Sequence, residues 1–379
     1  TVEKEPLIPI GHEIACDQFR LPIESPKKAF KTSGPKLTVS TNGDNLSASS
    51  SKVNFVFNRK TGIVTSYKVD GTEYFSEGFG IQPNFWRAPT DNDYGNGMPK
   101  RLQVWKESSK NFNVTDATVT MDGNNAVVNV NYLLPAGNLY IVNYTIYPSG
   151  AVNVAARFTS TDMDAAQTEV SEATRTATFT PGRDAARKEA SKLNVPRIGV
   201  RFRLPASMNQ VEYFGRGPAE NYLDRNAGSM VGLYKSTAEE LYFPYVRPQE
   251  NGHHTDTRWV SLSTGKKGLL IQADNTIGFN ALRNSIEDFD DEEATGLSRQ
   301  WSNFTPEQVA NHDEAAAKNV LRRQHHINNI TPRDFVEVCV DLKQQGVAGY
   351  DSWGSRPEPA YTLPANREYN WGFTLIPLK

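Results

Sequence analysis

The sequence predicts an all-β protein dominated by one large antiparallel sandwich. Apolar residues recur with a period of two, Gly, Pro and Asn turns punctuate the chain at short spacing, and helical signals are few. Val53, Phe55 and Phe57 alternate with Lys52, Asn54 and Asn58, and after a turn at 59–62 the stretch 63–67 completes a hairpin with one buried face. Val127, Val128 and Val130 lead to Tyr132. Residues 139–147 make a strand with Tyr140, Val142, Tyr144 and Ile146 on one side, and Pro148-Ser149-Gly150 turns it into 151–158, a meander. Val336, Val338, Val340 and Leu342 alternate cleanly with Glu337, Cys339, Asp341 and Lys343, and the final strand carries Tyr369, Trp371, Phe373 and Leu375 on one side. Many short strands with such turns mean a two-layer sandwich.

Helix is expected in three places only. Thr305-Pro306-Glu307-Gln308 is a capping box with proline at N1, Ser236-Thr237-Ala238-Glu239 caps a single turn, and 182–192 is rich in Ala, Lys, Arg and Glu. No repeat at a spacing of about 20–50 residues argues for a solenoid or propeller. The run 287–293 holds six acids in seven positions, which reads as a solvated loop rather than a metal site.

At 379 residues the chain has room for two or three domains, or for one large all-β unit. Its 38% hydrophobic and 10% aromatic content supplies a core and excludes wholesale disorder. Lys and Arg number 41 against 43 Asp and Glu, so no positive field exists to hold nucleic acid or an anionic membrane. No run of about 18 apolar residues is present to cross a bilayer. Cys16 and Cys339 have neither metal nor redox spacing; a disulfide framework is excluded, a single bridge is not. The start, without methionine or an apolar leader, suggests a processed protein or a piece of a longer one, and leaves cytoplasm and periplasm both open.

Four stretches hold the chemistry. Asn84-Phe85-Trp86-Arg87-Ala88-Pro89-Thr90-Asp91-Asn92-Asp93-Tyr94-Gly95-Asn96 loosely follows a calcium loop through Asp91, Asp93 and Asn96, but its glycine is misplaced for an EF-hand, and a hydrogen-bonded Asx-turn loop is the plainer reading. In Tyr213-Phe214-Gly215-Arg216-Gly217-Pro218-Ala219-Glu220-Asn221-Tyr222-Leu223-Asp224-Arg225 the third glycine of a dinucleotide fingerprint is missing and no βαβ unit surrounds it, which excludes a Rossmann site. Arginine–carboxylate pairs bracing an irregular crossover remain. The third stretch, 244–259, offers Glu250, His253, His254 and Asp256 for acid–base or metal chemistry. Adjacent histidines on a strand face opposite ways, however, and no G-x-S-x-G elbow marks a serine nucleophile. Last, Gly349-Tyr350-Asp351-Ser352-Trp353-Gly354 sets a tryptophan among small polar residues, either a packing anchor or a face to stack on the C–H side of a sugar.

Taken in order, Asn84-Phe85-Trp86-Arg87-Ala88-Pro89-Thr90-Asp91-Asn92-Asp93, Gly215-Arg216-Gly217-Pro218-Ala219-Glu220-Asn221-Tyr222 with Asp224-Arg225, Pro244-Tyr245-Val246-Arg247-Pro248-Gln249-Glu250-Asn251-Gly252 and Asp351-Ser352-Trp353 resemble the C-terminal region of the large glycoside hydrolase family 2 β-galactosidases. The resemblance spans essentially the whole chain. Gly11-His12-Glu13-Ile14-Ala15 with Gln18-Phe19 looks like the last strands of the immunoglobulin-like domain that precedes that region.

The resemblance implies that residues 1–24 are the tail of that immunoglobulin-like sandwich. It implies that 30–379 form a large antiparallel supersandwich of the galactose mutarotase-like kind, packed against a catalytic TIM barrel. The two glutamates of a retaining mechanism, about 5 Å apart, would lie in that barrel, whose motifs no segment here carries. This chain is then expected to hold no catalytic residue. Trp353, with Asp351 beside it, falls where the family lends a stacking platform to the galactoside site. Asp91, Asn92 and Asp93 fall on a loop, 91–101, that lines the entrance. Arg216, Glu220, Asn221, Asp224 and Arg225 are expected to be structural, and the insert 161–192 has no family counterpart. No cofactor is expected in this chain, the family's Mg2+ and Na+ being bound mainly elsewhere. The implied partners are a β-galactoside such as lactose and the N-terminal barrel of the same enzyme, in a homo-oligomeric parent.

Three functions compete. The first is an accessory region of a β-galactosidase, inactive alone. The second is a free-standing mutarotase-like aldose epimerase using Glu250, His253 and His254. The third is a carbohydrate-binding module.

Overall fold

The computed structural model describes residues 8–23, 29–159, 193–290, 327–351 and 354–379. Almost all regular structure there is antiparallel β, in two sheets, as the periodicity predicts. Strands β1 (Thr38–Asn42), β2 (Asn45–Ser49), β3 (Val53–Asn58), β4 (Ile63–Val69) and β5 (Thr72–Glu73) form a five-stranded meander in chain order. The larger sheet has twelve strands: β6 (Gln82–Asn84), β7 (Asn113–Asp122), β8 (Asn125–Leu133), β9 (Leu139–Ile146), β10 (Val152–Thr159), β11 (Arg197–Pro205), β12 (Gln210–Gly217), β13 (Met230–Thr237), β14 (His254–Ser263), β15 (Gly268–Leu282), β16 (Phe335–Gln344) and β17 (Tyr369–Leu378).

The larger sheet forks at β15. Its residues 268–273 pair with β17, which leads on to β10, β9, β8 and β7, while 278–282 pair with β16, which leads to β11 and β6. β14 lies along its other edge, and there the register shifts twice around Asp256, a non-glycine residue at φ +51°. Such bulges bend a strand and sharpen its twist. The fork brings β11, β16 and the end of β15 side by side, and the polar site described below hangs from these three.

The alternation read in β3, β9 and β10 matches the burial of Val53, Phe55, Phe57, Tyr140, Val142, Tyr144, Ile146, Val152 and Val154. In β8 the buried set is Ala126, Val128, Val130 and Tyr132, with Val127 on the opposite face. β16 departs from its pattern: Val336, Val338 and Val340 are buried, and so are Glu337, Cys339 and Asp341. Arginines of the adjacent β11 meet those acids, so this strand has no solvent face at mid-length.

Residues 91–110 are helical where the sequence suggests an Asx-turn loop. They form α1 (Asp91–Gly95), α2 (Met98–Arg101) and α3 (Gln103–Lys110). The hydroxyl of Thr90 accepts from Asp93 N at 3.1 Å while the Asp93 carboxylate accepts from Thr90 N at 3.0 Å, a capping box closed by aspartate. α3 drives Trp105 wholly into the core against Phe85 and Phe158.

Another short helix, α4 (Ile286–Phe289), opens the acidic run. Glu287 pairs with Arg201, Asp288 with Arg333 and Asp290 with Lys106, so the described part of that run is tied down by cations rather than solvated. Around Ser236, Thr237 and Glu240 exchange reciprocal backbone–side-chain bonds in a single turn, one residue later than expected. The expected helices at 182–192 and 305–322, and the insert 161–192, lie outside the described residues apart from none of their ends. Cys16 is exposed and Cys339 buried, and both are free thiols. Among the described residues no helix is long and apolar enough to cross a membrane. Residues 8–23 are exposed, and Gln18 ties them to β13 by donating to Val231 O at 2.8 Å and accepting from Val231 N at 2.7 Å.

Trp105→Ala should lower unfolding stability by about 3–5 kcal/mol, the scale of deleting a buried aromatic. Urea unfolding of the purified variant measures it, and a loss below about 1 kcal/mol would show that α3 does not anchor the core.

Candidate functional site

The four dense motifs meet on one piece of backbone. After Gln344 ends β16 the chain leaves the sheet, and buried peptide groups without a ladder need other partners. They find them in succession. Gln345 N donates to Pro196 O and Gly346 N to Tyr361 O. Arg87, from the first motif, donates to Gln345 O at 2.7 Å and to Gly346 O at 3.0 Å. Asp224, from the second, accepts from Val347 N at 2.9 Å and Ala348 N at 2.8 Å. Asn92 donates to Val347 O at 3.2 Å and Arg225 to Ala348 O at 2.6 Å. Residues 345–348 are thus a strap laced by side chains.

The Arg87 guanidinium is fully buried, and Asp93 answers it with both oxygens, at 3.1 Å from Nε and 3.0 Å from Nη2. Such a fork-on-fork pair fixes orientation as well as charge. Asp93 therefore faces inward, beneath the strap, while Asp91 is exposed and Asn92 half-buried above it. Asp91 is riveted to the third motif: its N donates to Gln249 Oε1 and its Oδ2 accepts from Gln249 Nε2, both at 3.0 Å. Arg247 lies 3.7 Å from the Asp91 carboxylate, with its guanidinium 3.8 Å from the centre of the Tyr94 ring.

Beyond the strap, exposed Asp351 accepts from Ser355 N at 3.2 Å, Tyr350 N donates to Ser355 Oγ at 3.1 Å, and Asn96 donates to Ser355 O at 3.4 Å. Gly354, at φ +89°, lies so close to α1 that an added Cβ would sit 2.6 Å from Gly95 O. This turn is seated directly on the first motif. Trp353 and Ser352 lie outside the described residues. Of the five expected site residues, Asp91, Asn92 and Asp351 share this ledge and Asp93 holds it from below.

The second motif braces as expected. Arg216 pairs with Asp256 at 2.6 Å, Asn221 accepts from Thr255 N at 2.9 Å, and Glu220 accepts from Gly252 N at 2.6 Å and from the Tyr245 hydroxyl. Burial raises the pKa of Glu220.

Beneath the ledge lies a polar cluster that the sequence reading missed. Arg197, on β11 and wholly buried, places Nη2 at 2.8 Å from Glu250 Oε1 and from Asn280 Oδ1, and Nε at 3.1 Å from Asp341 Oδ2. Asn280 and Gln344 also donate to Glu250, at 3.0 and 2.8 Å. His253 Nδ1 shares Asn280 Oδ1 at 2.9 Å, and its ring stacks on Tyr222. His254 points elsewhere, stacking on Phe279 and meeting the carbonyls of Gly252 and Pro218.

Burial depresses the pKa of His253 well below its usual value, with Arg197 adding to the effect, and burial lowers that of His254. Asp341 is pushed up to about 8 by burial and by Glu250, against the pull of Arg197. One guanidinium facing two carboxylates needs only one negative charge, so at neutral pH Asp341 carries a proton. A cavity of about 20 Å³, lined by Arg197, Glu250, Asn280 and Glu337 among others, borders this cluster and has room for about one water. The signal that could have found the cluster is cross-strand charge: Arg203 faces Glu337 and Gly199 faces Asp341 in the β11–β16 register. Among the described residues no group of three or more His, Cys, Asp and Glu side chains is placed to hold a metal ion.

The raised Asp341 pKa gives stability that is complete at acid pH and is lost as pH rises towards about 8. Below about pH 6.5 the neutral buried histidines oppose this trend, because their unfolded forms take up protons. Between about pH 6.5 and 8 stability should therefore fall with rising pH, and Asp341→Asn should flatten that slope. Urea midpoints across this range test it; an unchanged slope in the variant would place Asp341 as an ionised partner of Arg197.

Comparison with known proteins fits this geometry. The family model described as Beta galactosidase small chain matches residues 49–375. A beta-galactosidase of Priestia megaterium is 31% identical over 371 residues, covering 97% of this chain, and one of Streptococcus thermophilus is 26% identical over 98% of it. The chain spans about 30% of the length of these two relatives. A beta-galactosidase small subunit of Latilactobacillus sakei is 27% identical, with 85% of this chain and 92% of that protein covered. Among solved structures, galactose 1-epimerase of Lactobacillus acidophilus aligns at 8% identity over 90% of this chain and 97% of its own, with a TM-score of 0.42, a likeness too loose to bear on chemistry. With the family match running through all four motifs and nearly all of the described strands, the chain belongs to the β-galactosidase small chain family.

Proposed function

We propose that this chain is the non-catalytic part of a retaining β-galactosidase, completing the galactoside site of a catalytic barrel that precedes it in the parent enzyme. The observation that carries the reading is the convergence of four sequence motifs on one laced strap ending at the turn around Asp351 and Gly354. A backbone held at six successive polar groups is suited to presenting side chains at a fixed place. In this reading Trp353 offers the sugar its indole face, Asp351, Asp91 and Asn92 line the same rim, and Asp93 keeps α1 and the strap together.

The catalytic pair belongs to the barrel. A retaining mechanism needs two carboxyl groups about 5–5.5 Å apart and open to the glycosidic bond. Glu250 and Asp341 do gather around one arginine, but both are buried. The epimerase alternative meets the same obstacle, because Glu250, His253 and His254 are all closed to solvent and the adjoining cavity is far too small for a sugar. The substrate is a β-galactoside such as lactose, the partner is the barrel within a homo-oligomeric enzyme, and any Mg2+ or Na+ requirement sits with the barrel side.

Two results test this. The isolated chain should leave a chromogenic β-galactoside intact, and turnover that survives purification from host enzyme would place a carboxylate pair here. In the complete enzyme Trp353→Ala should weaken galactoside binding by about 1–3 kcal/mol, with little change in melting temperature. A collapse in melting temperature would make Trp353 a core anchor instead.

A further inference from the structure

The strap contains a conformation that its own residues do not favour. Ala348 sits at φ +56° and Gly349 follows at +86°, two left-handed residues in succession immediately before Tyr350 and Asp351. Glycine accepts this region freely, but an alanine rarely does, and an observed outlier of this kind points to something holding it.

Asp224 is placed to hold it. Its two carboxylate oxygens accept from Val347 N and Ala348 N, the two amides that lead into the left-handed pair. Its neighbour Arg225 takes the Ala348 carbonyl, so both ends of the Ala348 peptide unit are gripped from one dipeptide. The Tyr350 hydroxyl lies 3.4 Å from Asp224 Oδ2, and that ring is half exposed. Gly346 is the reason the carboxylate fits so closely, since a Cβ there would run into it. No sheet ladder, helix cap or apolar core depends on Asp224; every described hydrogen bond it makes goes to residues 347, 348 or 350.

We infer that Asp224 is a positioning residue for galactoside binding, acting through the left-handed turn at Ala348 and Gly349; this rests on the reading that Asp351 and its neighbours line the sugar site. Released from the clamp, Ala348 relaxes to negative φ. A change in one φ early in a loop redirects everything after it, so the rim from Tyr350 to Gly354 swings away from the substrate. Chemistry on substrate already bound proceeds in the barrel, so the loss falls on binding. Aspartate is required rather than asparagine, because a carboxamide would turn its N–H groups toward one of the two amides and leave a single acceptor.

The test is made in the complete enzyme with a chromogenic β-galactoside. Asp224→Asn should raise KM about tenfold while kcat stays within about twofold. Gly346→Ala, which presses the carboxylate from the strap side, should do the same and serves if Asp224→Asn fails to fold. Adding Ala348→Gly to Asp224→Asn should recover part of the lost KM, because glycine holds the left-handed turn unaided. A purely structural Asp224 would lower the melting temperature and leave KM of the folded enzyme unchanged, and that result, or a KM that Ala348→Gly does not improve, overturns the inference. Trp353→Ala separates the two levels. If it leaves KM unchanged, the site reading fails and the inference with it; if it raises KM while Asp224→Asn and Gly346→Ala do not, the inference alone fails.

Discussion

The guanidinium of Arg197 carries a permanent charge in a place without solvent, and the surrounding architecture follows from what must stand near it. An arginine does not give up its proton, so the charge is neutralised by position alone. The neighbouring carboxylates more than offset the cost of burial and raise its pKa further. Those partners come from separated parts of the chain: Glu250 from the third motif, Asp341 from β16, Asn280 from the branch strand β15, and the Trp86 carbonyl from the first motif at 3.4 Å. Removing any of them leaves a charge unpaired in low dielectric, among the costliest defects a core can have. With Glu250 held here, Gln249 and Arg247 are delivered to Asp91 and Tyr94 two and three residues earlier in the chain. The exposed ledge thus inherits its position from a buried ion.

Much of the fold was legible because a period of two is a direct record of which residues share a face. The hairpin of β3 and β4 and the meander of β9 and β10 fall where alternation puts them. Alternation does not say what the second face meets. Glu337 and Asp341 look like solvent-facing residues, yet β11 lays Arg203 and Arg201 across the same strand and closes that side. The three helices of 91–110 were hidden for another reason. Gly97 and Pro99 look like helix breakers, but Gly97 is the residue before α2 and Pro99 stands in its first turn, where proline's missing N–H does no harm.

The candidate site divides along the same line. Motifs drew attention to Asp91, Asn92 and Asp93 together, since nothing in three adjacent polar residues tells which points outward. Packing makes the distinction: Asp93 turns in to Arg87, Asn92 holds the strap, and Asp91 reaches across to Gln249. Arg197 and Asn280 had no motif to mark them, being single polar residues in apolar strands whose meaning appears only when β11, β15 and the 250 loop are brought together.

Stability alone does not account for this much buried charge. Well-packed apolar side chains of similar volume commonly do as well as a buried ion pair or better, so Arg87–Asp93 and Arg197–Glu250 need another reason to be there. Directionality supplies one. An apolar contact tolerates sliding by a fraction of an ångström, whereas a bidentate arginine–carboxylate pair whose remaining donors grip two named carbonyls does not. Arg87 has that arrangement, with Asp93 on one side and the carbonyls of Gln345 and Gly346 on the other. A domain that supplies part of a site to chemistry performed elsewhere has to place that part to within about half an ångström, and it has to do so from a loop. Lacing the loop to buried ions gives an irregular segment the rigidity that the strands around it obtain from their ladders.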